Sequence, residues 1–186
     1  MALESIIKQF QYYKSLGAKT FDQLSDEDLF WKSDSEANSI AVIVNHLNGN
    51  MLSRWTDFLN SDGEKEWRTR DAEFEEKITN RAQLHEKWEE GWNCLFEAIT
   101  PLSPADLERT VYIRNMGHTV LEALLRQLAH YAYHVGQIVH LGRQLKGPEW
   151  QSLSIPKGKS TEYNKAKFSK GKRKQHFTDD FLKEDK

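Results

Sequence analysis

Two histidines, His130 and His134, stand four residues apart within the run 129–137. On a helix that spacing turns roughly 40° and climbs about one turn, so both imidazoles leave the same face. Two imidazoles stacked in this way can share one metal ion. Leu124, Leu125, Leu128, Val135, Ile138 and Val139 surround the pair at helical spacing, which packs the helix inside the protein. Charged imidazoles are costly in such a place. The pair is therefore either neutral and hydrogen-bonded or bound to a metal.

A catalytic metal site needs a third protein ligand and an open position. His140 is six residues beyond His134 and points elsewhere. His85 lies on a charged face, His118 in a turn and His176 in a polar tail. His46 is on another long helix, at the edge of an apolar stripe, and can reach the pair if the two helices face each other. The single cysteine, Cys94, excludes an internal disulfide and a thiolate-rich zinc site. The pattern Glu-x-x-His is absent around the pair, against a di-iron bundle. His-Glu-x-x-His is absent too, against a zincin protease.

Imidazole suits zinc, nickel, copper and iron alike; zinc or nickel is the expected ion. Three neutral imidazoles leave the full charge of a divalent ion uncompensated, so a bound water or thiol would lose its proton at neutral pH. Gln137 lies roughly 20° from His130 in helical projection and could orient a ligand, or be a packing amide. Asn50 shares a side with His46 and could orient it or touch bound water. Arg54 and Arg126 could hold the carboxylate of an anionic thiol, although surface ion pairing is the more ordinary role. Tyr131 and Tyr133 read as core aromatics with polar tips.

Four long helical patterns position these residues. The first carries Leu3, Ile6, Ile7, Phe10, Tyr13 and Leu16 and ends at Gly17. Ser25 caps a short turn with Leu29, Phe30 and Trp31. Ser39 caps the second long helix, which runs to about Leu59. Residues 62–79 form a long polar loop, and loops of that length are often functional. The third helix starts near Asn80 and stops at Pro101. Residues 110–119 read as a small hairpin. Thr119 with Glu122 is a capping box for the last helix, which Gly147-Pro148 stops. Helices without alternating strands make the chain all-α, with a four-helix bundle as its natural architecture.

At 186 residues, one domain with an appendage is expected. Six Trp and nine Phe supply a core despite the 29% charged content. No basic-then-apolar leader and no run of about 18 apolar residues is visible, which favours a cytoplasmic protein without a membrane span. Net charge is −2, but residues 157–186 hold ten Lys and Arg against five Asp and Glu. The body is therefore acidic and not expected to bind nucleic acid. Residues 1–155 are expected to form the bundle, and 156–186 a basic, flexible tail in which Phe177, Phe181 and Leu182 could make a short docking turn.

Asn45-His46-Leu47, taken with His130-Tyr131-Ala132-Tyr133-His134-Val135-Gly136-Gln137, resembles the DinB-like (YfiT-like) metalloprotein superfamily over about residues 2–155. The likeness is greatest to a bacterial branch of unassigned function related to bacillithiol S-transferases. The resemblance implies an up-down-down-up four-helix bundle, a homodimer, and a divalent metal held by His46, His130 and His134. Relatives use such a metal to activate a low-molecular-weight thiol. The expected function is a metal-dependent S-transferase acting on a small thiol and an electrophile, or a hydrolase. The alternatives are a non-enzymatic metal- or ligand-binding stress protein, and a helical interaction protein with structural histidines. The basic tail lies outside the resemblance.

Overall fold

The structure, a computed structural model, describes residues 2–182. Six helices and one two-stranded hairpin make up the fold: α1 (Ala2–Phe21), α2 (Asp26–Phe30), α3 (Ile40–Trp55), α4 (Arg81–Ile99), β1 (Thr110–Ile113), β2 (Met116–Thr119), α5 (Val120–Lys146) and α6 (Ser160–Phe168). α1 packs along α5, α3 packs along α4, and α3 also meets α5. No helix among the described residues is long and apolar enough to cross a membrane.

The helix starts are set by side chains that take the unpaired amides of the first turn. Ser39 Oγ accepts from Val42 N (3.2 Å), and Asn80 Oδ1 from Gln83 N (2.9 Å). At α5 the capping box is reciprocal: Thr119 Oγ1 accepts from Glu122 N (3.1 Å), and the Glu122 carboxylate accepts from Thr119 N (2.7 Å). Gly147, with φ of +58°, ends α5. The hairpin is antiparallel, with Thr110 opposite Thr119 and Ile113 opposite Met116, and it delivers the chain directly into α5.

One aromatic from each long helix meets at the centre. Phe10 of α1 lies 6.5 Å from Trp55 of α3, 6.4 Å from Trp92 of α4 and 5.9 Å from Tyr131 of α5, between ring centroids. All four are buried. Such edge-on contacts add about 0.5–1.5 kcal/mol each beyond the area they bury.

Two boundaries differ from the sequence expectation. α1 does not end at Gly17 but runs one more turn to Phe21. Gly17 sits inside the helix because Trp88 lies against it, and an added Cβ would stand 2.3 Å from the indole. Glycine here makes room for a neighbour rather than ending a helix. α3 stops at Trp55 instead of about Leu59, where Asp57 turns out of the helix with a φ of +48°.

Beyond residue 159 the chain forms α6 and then returns to α1. Lys8 Nζ pairs with Asp179 (3.1 Å), Ser5 Oγ meets His176 Nε2 (2.9 Å), and Phe177 and Phe181 pack on Tyr12 at 5.8 and 5.5 Å. Thr178 is fully buried. Residues 183–186 of the tail lie outside the described residues. Few apolar groups are buried in this contact, so truncation after Lys159 is expected to keep the helical circular dichroism and lower the melting temperature by a few degrees, at about 2–4 °C per kcal/mol for a chain of this size. Collapse of the helical signal would make the tail part of the core.

Candidate metal centre

The histidines come from two helices that face each other. His46 lies in the second turn of α3, on a helix buried nearly all round. His130 and His134 lie midway along α5. The three Nε2 atoms converge: His46 to His130 is 3.4 Å and His134 to His130 is 3.1 Å. These three residues could hold a metal ion, with one ligand atom from each and all three atoms within 4.8 Å of one another. Two imidazole nitrogens about 2.05 Å from one tetrahedral ion stand roughly 3.3 Å apart, close to both separations from His130.

The outer nitrogens explain why the inner ones face inward. His46 Nδ1 is 2.9 Å from Glu73 Oε2, and a carboxylate can only accept, so this nitrogen carries the ring proton. His134 Nδ1 donates to Gln137 Oε1 at 2.8 Å. Both rings thus present an Nε2 lone pair to His130. The Nε2 of His130 can satisfy one neighbour with a proton, whereas a cation satisfies all three. Its Nδ1 is buried without a hydrogen-bond partner. The residues present therefore fit a divalent ion.

Glu73 is a residue that periodicity could not reveal. It sits in a single 3-10 turn, Asp71–Phe74, within the loop joining α3 to α4. Burial raises the pKa of its carboxyl, but hydrogen bonds from His46 and Arg68 and the Arg68 charge more than offset this and hold it below the usual carboxylate range. Arg68 grips it bidentately, Nε to Oε1 at 2.7 Å and Nη2 to Oε2 at 2.9 Å. Asn45 Nδ2 donates to the Glu73 carbonyl at 2.8 Å, and Phe74 stacks on the His46 ring at 4.7 Å. The only sequence signal was Gly49, mid-helix and three residues after His46. A Cβ there would lie 2.5 Å from Glu73 Oε1.

Asn50 does not orient His46. Its Oδ1 accepts from Gln127 Nε2 (2.7 Å) and from the Tyr131 hydroxyl (3.1 Å), which in turn accepts from Trp55 Nε1 (2.9 Å). This buried network ties α3 to α5 just below the histidines and lines the same cavity through Asn50 and Gln127. Tyr131 is the core aromatic expected, but Tyr133 lies on the surface, 63% exposed. Arg54 is buried rather than a surface residue: it donates to the Gly63 carbonyl and lies 3.3 Å from Glu64.

The family model described as "Protein of unknown function (DUF1572)" matches residues 1–159. The chain belongs to this family. The DUF1572 match covers the hairpin and the helices α3 and α5 that carry the three histidines, and it stops before α6. No curated protein matches the chain. The resemblance to DinB-like proteins rests on the histidine motifs alone.

Burial lowers the pKa of His130 to about 3, helped by the neighbouring charges of His134 and His46. Burial, with His46 again, also lowers His134. These rings are therefore neutral and ready to coordinate at physiological pH. Two outcomes follow. Glu73→Gln, which removes the charge that orients His46 and anchors Arg68, should weaken zinc affinity about 10–100-fold in a competition titration against a chelator, and unchanged affinity would show that Glu73 serves the loop alone. In the metal-free chain, the unfolded state takes up the His130 proton near 6.5 and the folded state only near 3. Stability is then full above about pH 6.5 and falls as pH drops from there toward 3. Thermal melts across that range should show a steeper fall for the native chain than for His130→Ala.

Proposed function

We propose that this chain is a divalent-metal-dependent enzyme of DinB-like type, with His46, His130 and His134 as ligands of zinc or nickel and a small thiol or water as the nucleophile. The up-down-down-up bundle and the homodimer belong to the same reading. The observation that carries it is the convergence of the three histidines, with the Nε2 of His130 3.4 Å from that of His46 and 3.1 Å from that of His134, and two of the outer nitrogens held by Glu73 and Gln137.

A bound divalent ion supplies Lewis acidity, favouring thiolate or hydroxide over the protonated form at neutral pH. The chain's own groups do the remaining work. Glu73 and Gln137 hold protons on Nδ1 of His46 and His134, so their Nε2 atoms stay free for coordination. Arg68 keeps Glu73 ionised and in place. Phe74 covers one face of the His46 ring and leaves the cavity side open. An open position beside three protein ligands is the arrangement of a catalytic site rather than a closed structural one. That openness favours turnover over mere storage of an ion.

The purified chain, loaded with zinc or nickel, is expected to bind one ion per chain. It should then speed the reaction of a small thiol with 1-chloro-2,4-dinitrobenzene, in which an S–C bond forms, the C–Cl bond breaks and the thiol proton passes to solvent. His130→Ala combined with His134→Ala should abolish ion binding and the metal-dependent rate. Ion binding without any rate increase, for thiols or for hydrolysis of an activated ester, would leave a metal-binding protein that does not turn over. No ion binding would make the histidines structural.

A further inference from the structure

The cavity in front of the histidines has a volume of about 280 Å³ and is walled by five arginines: Arg54, Arg68, Arg70, Arg114 and Arg126. No Asp or Glu lines it. The carboxylates lie behind the wall. Glu73 is taken by Arg68 and His46, and Glu64 is shared by Arg68 (3.0 Å), Arg54 (3.3 Å) and Arg114 (3.4 Å). These two acids therefore serve three of the five guanidiniums. Arg70 has only the fully exposed Asp71, at 3.8 Å, and rests over Phe74 with its guanidinium carbon 5.3 Å from the ring centroid. Among the described residues no carboxylate comes within ion-pair reach of Arg126, whose polar contact is His118 at 3.3 Å.

Scattered surface arginines are ordinary, but these five converge on one concave surface of a chain whose net charge is −2. Like charges gathered in a cleft repel one another, and the cleft walls focus their field on whatever enters. Arg54 gives an independent sign. Its side chain is buried, burial lowers its pKa, and its Nε has no hydrogen-bond partner. A buried guanidinium donor left unpaired at a cavity wall is costly unless a ligand meets it. The hairpin tip is also fixed toward the cavity. Asp62 accepts from the backbone N–H groups of Arg114 and Asn115, both at 2.8 Å, and both residues have positive φ, an uncommon conformation for arginine.

We propose that this cavity takes a small organic anion, its carboxylate or phosphate group seated on Arg70, Arg114 and Arg126 and its reactive end directed at the three histidines. The proposal rests on the metal-dependent reading for which end reacts, but the anion seat stands without an ion. A guanidinium fork matches either group with paired hydrogen bonds. The volume lies just under the usual range of ligand pockets, about 300–1,000 Å³, which fits a small metabolite.

The test is calorimetric titration of the full chain with inorganic phosphate and, separately, with succinate, after chelation and again after zinc loading. At least one anion is expected to bind both forms, more weakly as ionic strength rises. Arg70→Gln with Arg126→Gln, at exposed positions where folding should be unaffected, should weaken it roughly tenfold or more while zinc affinity is unchanged. Preference for phosphate or for succinate assigns the ligand group. Equal binding to the native chain and the double variant, or no binding of either anion, overturns the proposal. Failure to take up zinc would instead overturn the metal-dependent reading, and the titration of the chelated chain would still decide the anion seat.

Discussion

The buried carboxylate of Glu73 is the contact on which the site depends. It accepts from His46 on one oxygen and from Arg68 on both, at 2.7–2.9 Å, in a place almost closed to solvent. A carboxylate in that position is tolerable only because both its oxygens accept from charged or polarised donors. Removing one partner would leave an uncompensated buried charge, so loop, histidine and arginine are held as a unit. The loop that carries Glu73 has little regular structure of its own. It is held instead by helix α3, through Asn45 at one end and Ser53 and Arg54 at the other.

That dependence explains what could be read from the sequence and what could not. The His130–His134 pair was legible because helical period fixes relative direction within one element. His46 was legible because the apolar stripe of α3 shows which side faces the core. The hairpin before α5 and the helix caps at Ser39, Asn80 and Thr119 followed from local chemistry that needs no tertiary partner. Glu73 lies in an acidic stretch where nothing distinguishes it from Glu75 or Glu76, and its role is created by Arg68 and Gly49, which meet it only after folding. Gly17 misled for the same reason: its smallness answers to Trp88, from a helix more than seventy residues away. Arg54 was expected at the surface because charge alone suggests it, whereas Gly63 and Glu64 keep it inside.

Below the histidines, Asn50, Gln127, Tyr131 and Trp55 form a closed set of hydrogen bonds between α3 and α5. These polar groups add little net stability when satisfied, but any slip of one helix against the other would leave several of them unpaired. Burial raises the pKa of the Tyr131 hydroxyl well above the usual phenol value, so it stays protonated and the network neutral. The effect is to fix the register of the two helices at the level where His46 must meet His130. The aromatic centre formed by Phe10, Trp55, Trp92 and Tyr131 shares Trp55 and Tyr131 with this network.

Four buried side-chain polar atoms among the described residues lack a hydrogen-bond partner: the indole nitrogens of Trp88 and Trp92, Arg54 Nε and His130 Nδ1. The first two stand within an aromatic cluster, Trp88 and Trp92 being 5.4 Å apart, where ring faces give an N–H a weak substitute. The other two belong to residues that line the cavity. An unpaired buried donor or acceptor costs about 1–3 kcal/mol, and folded proteins keep few of them. A chain that satisfies Glu73, Asn50 and Gln127 so fully has the means to satisfy Arg54 and His130 as well, for instance with one more carboxylate on the cavity wall. Such a carboxylate would neutralise the arginines. Leaving both groups short of partners keeps a cationic wall beside three lone pairs, a combination that is poor for stability alone and suited to a cation and an anion arriving together.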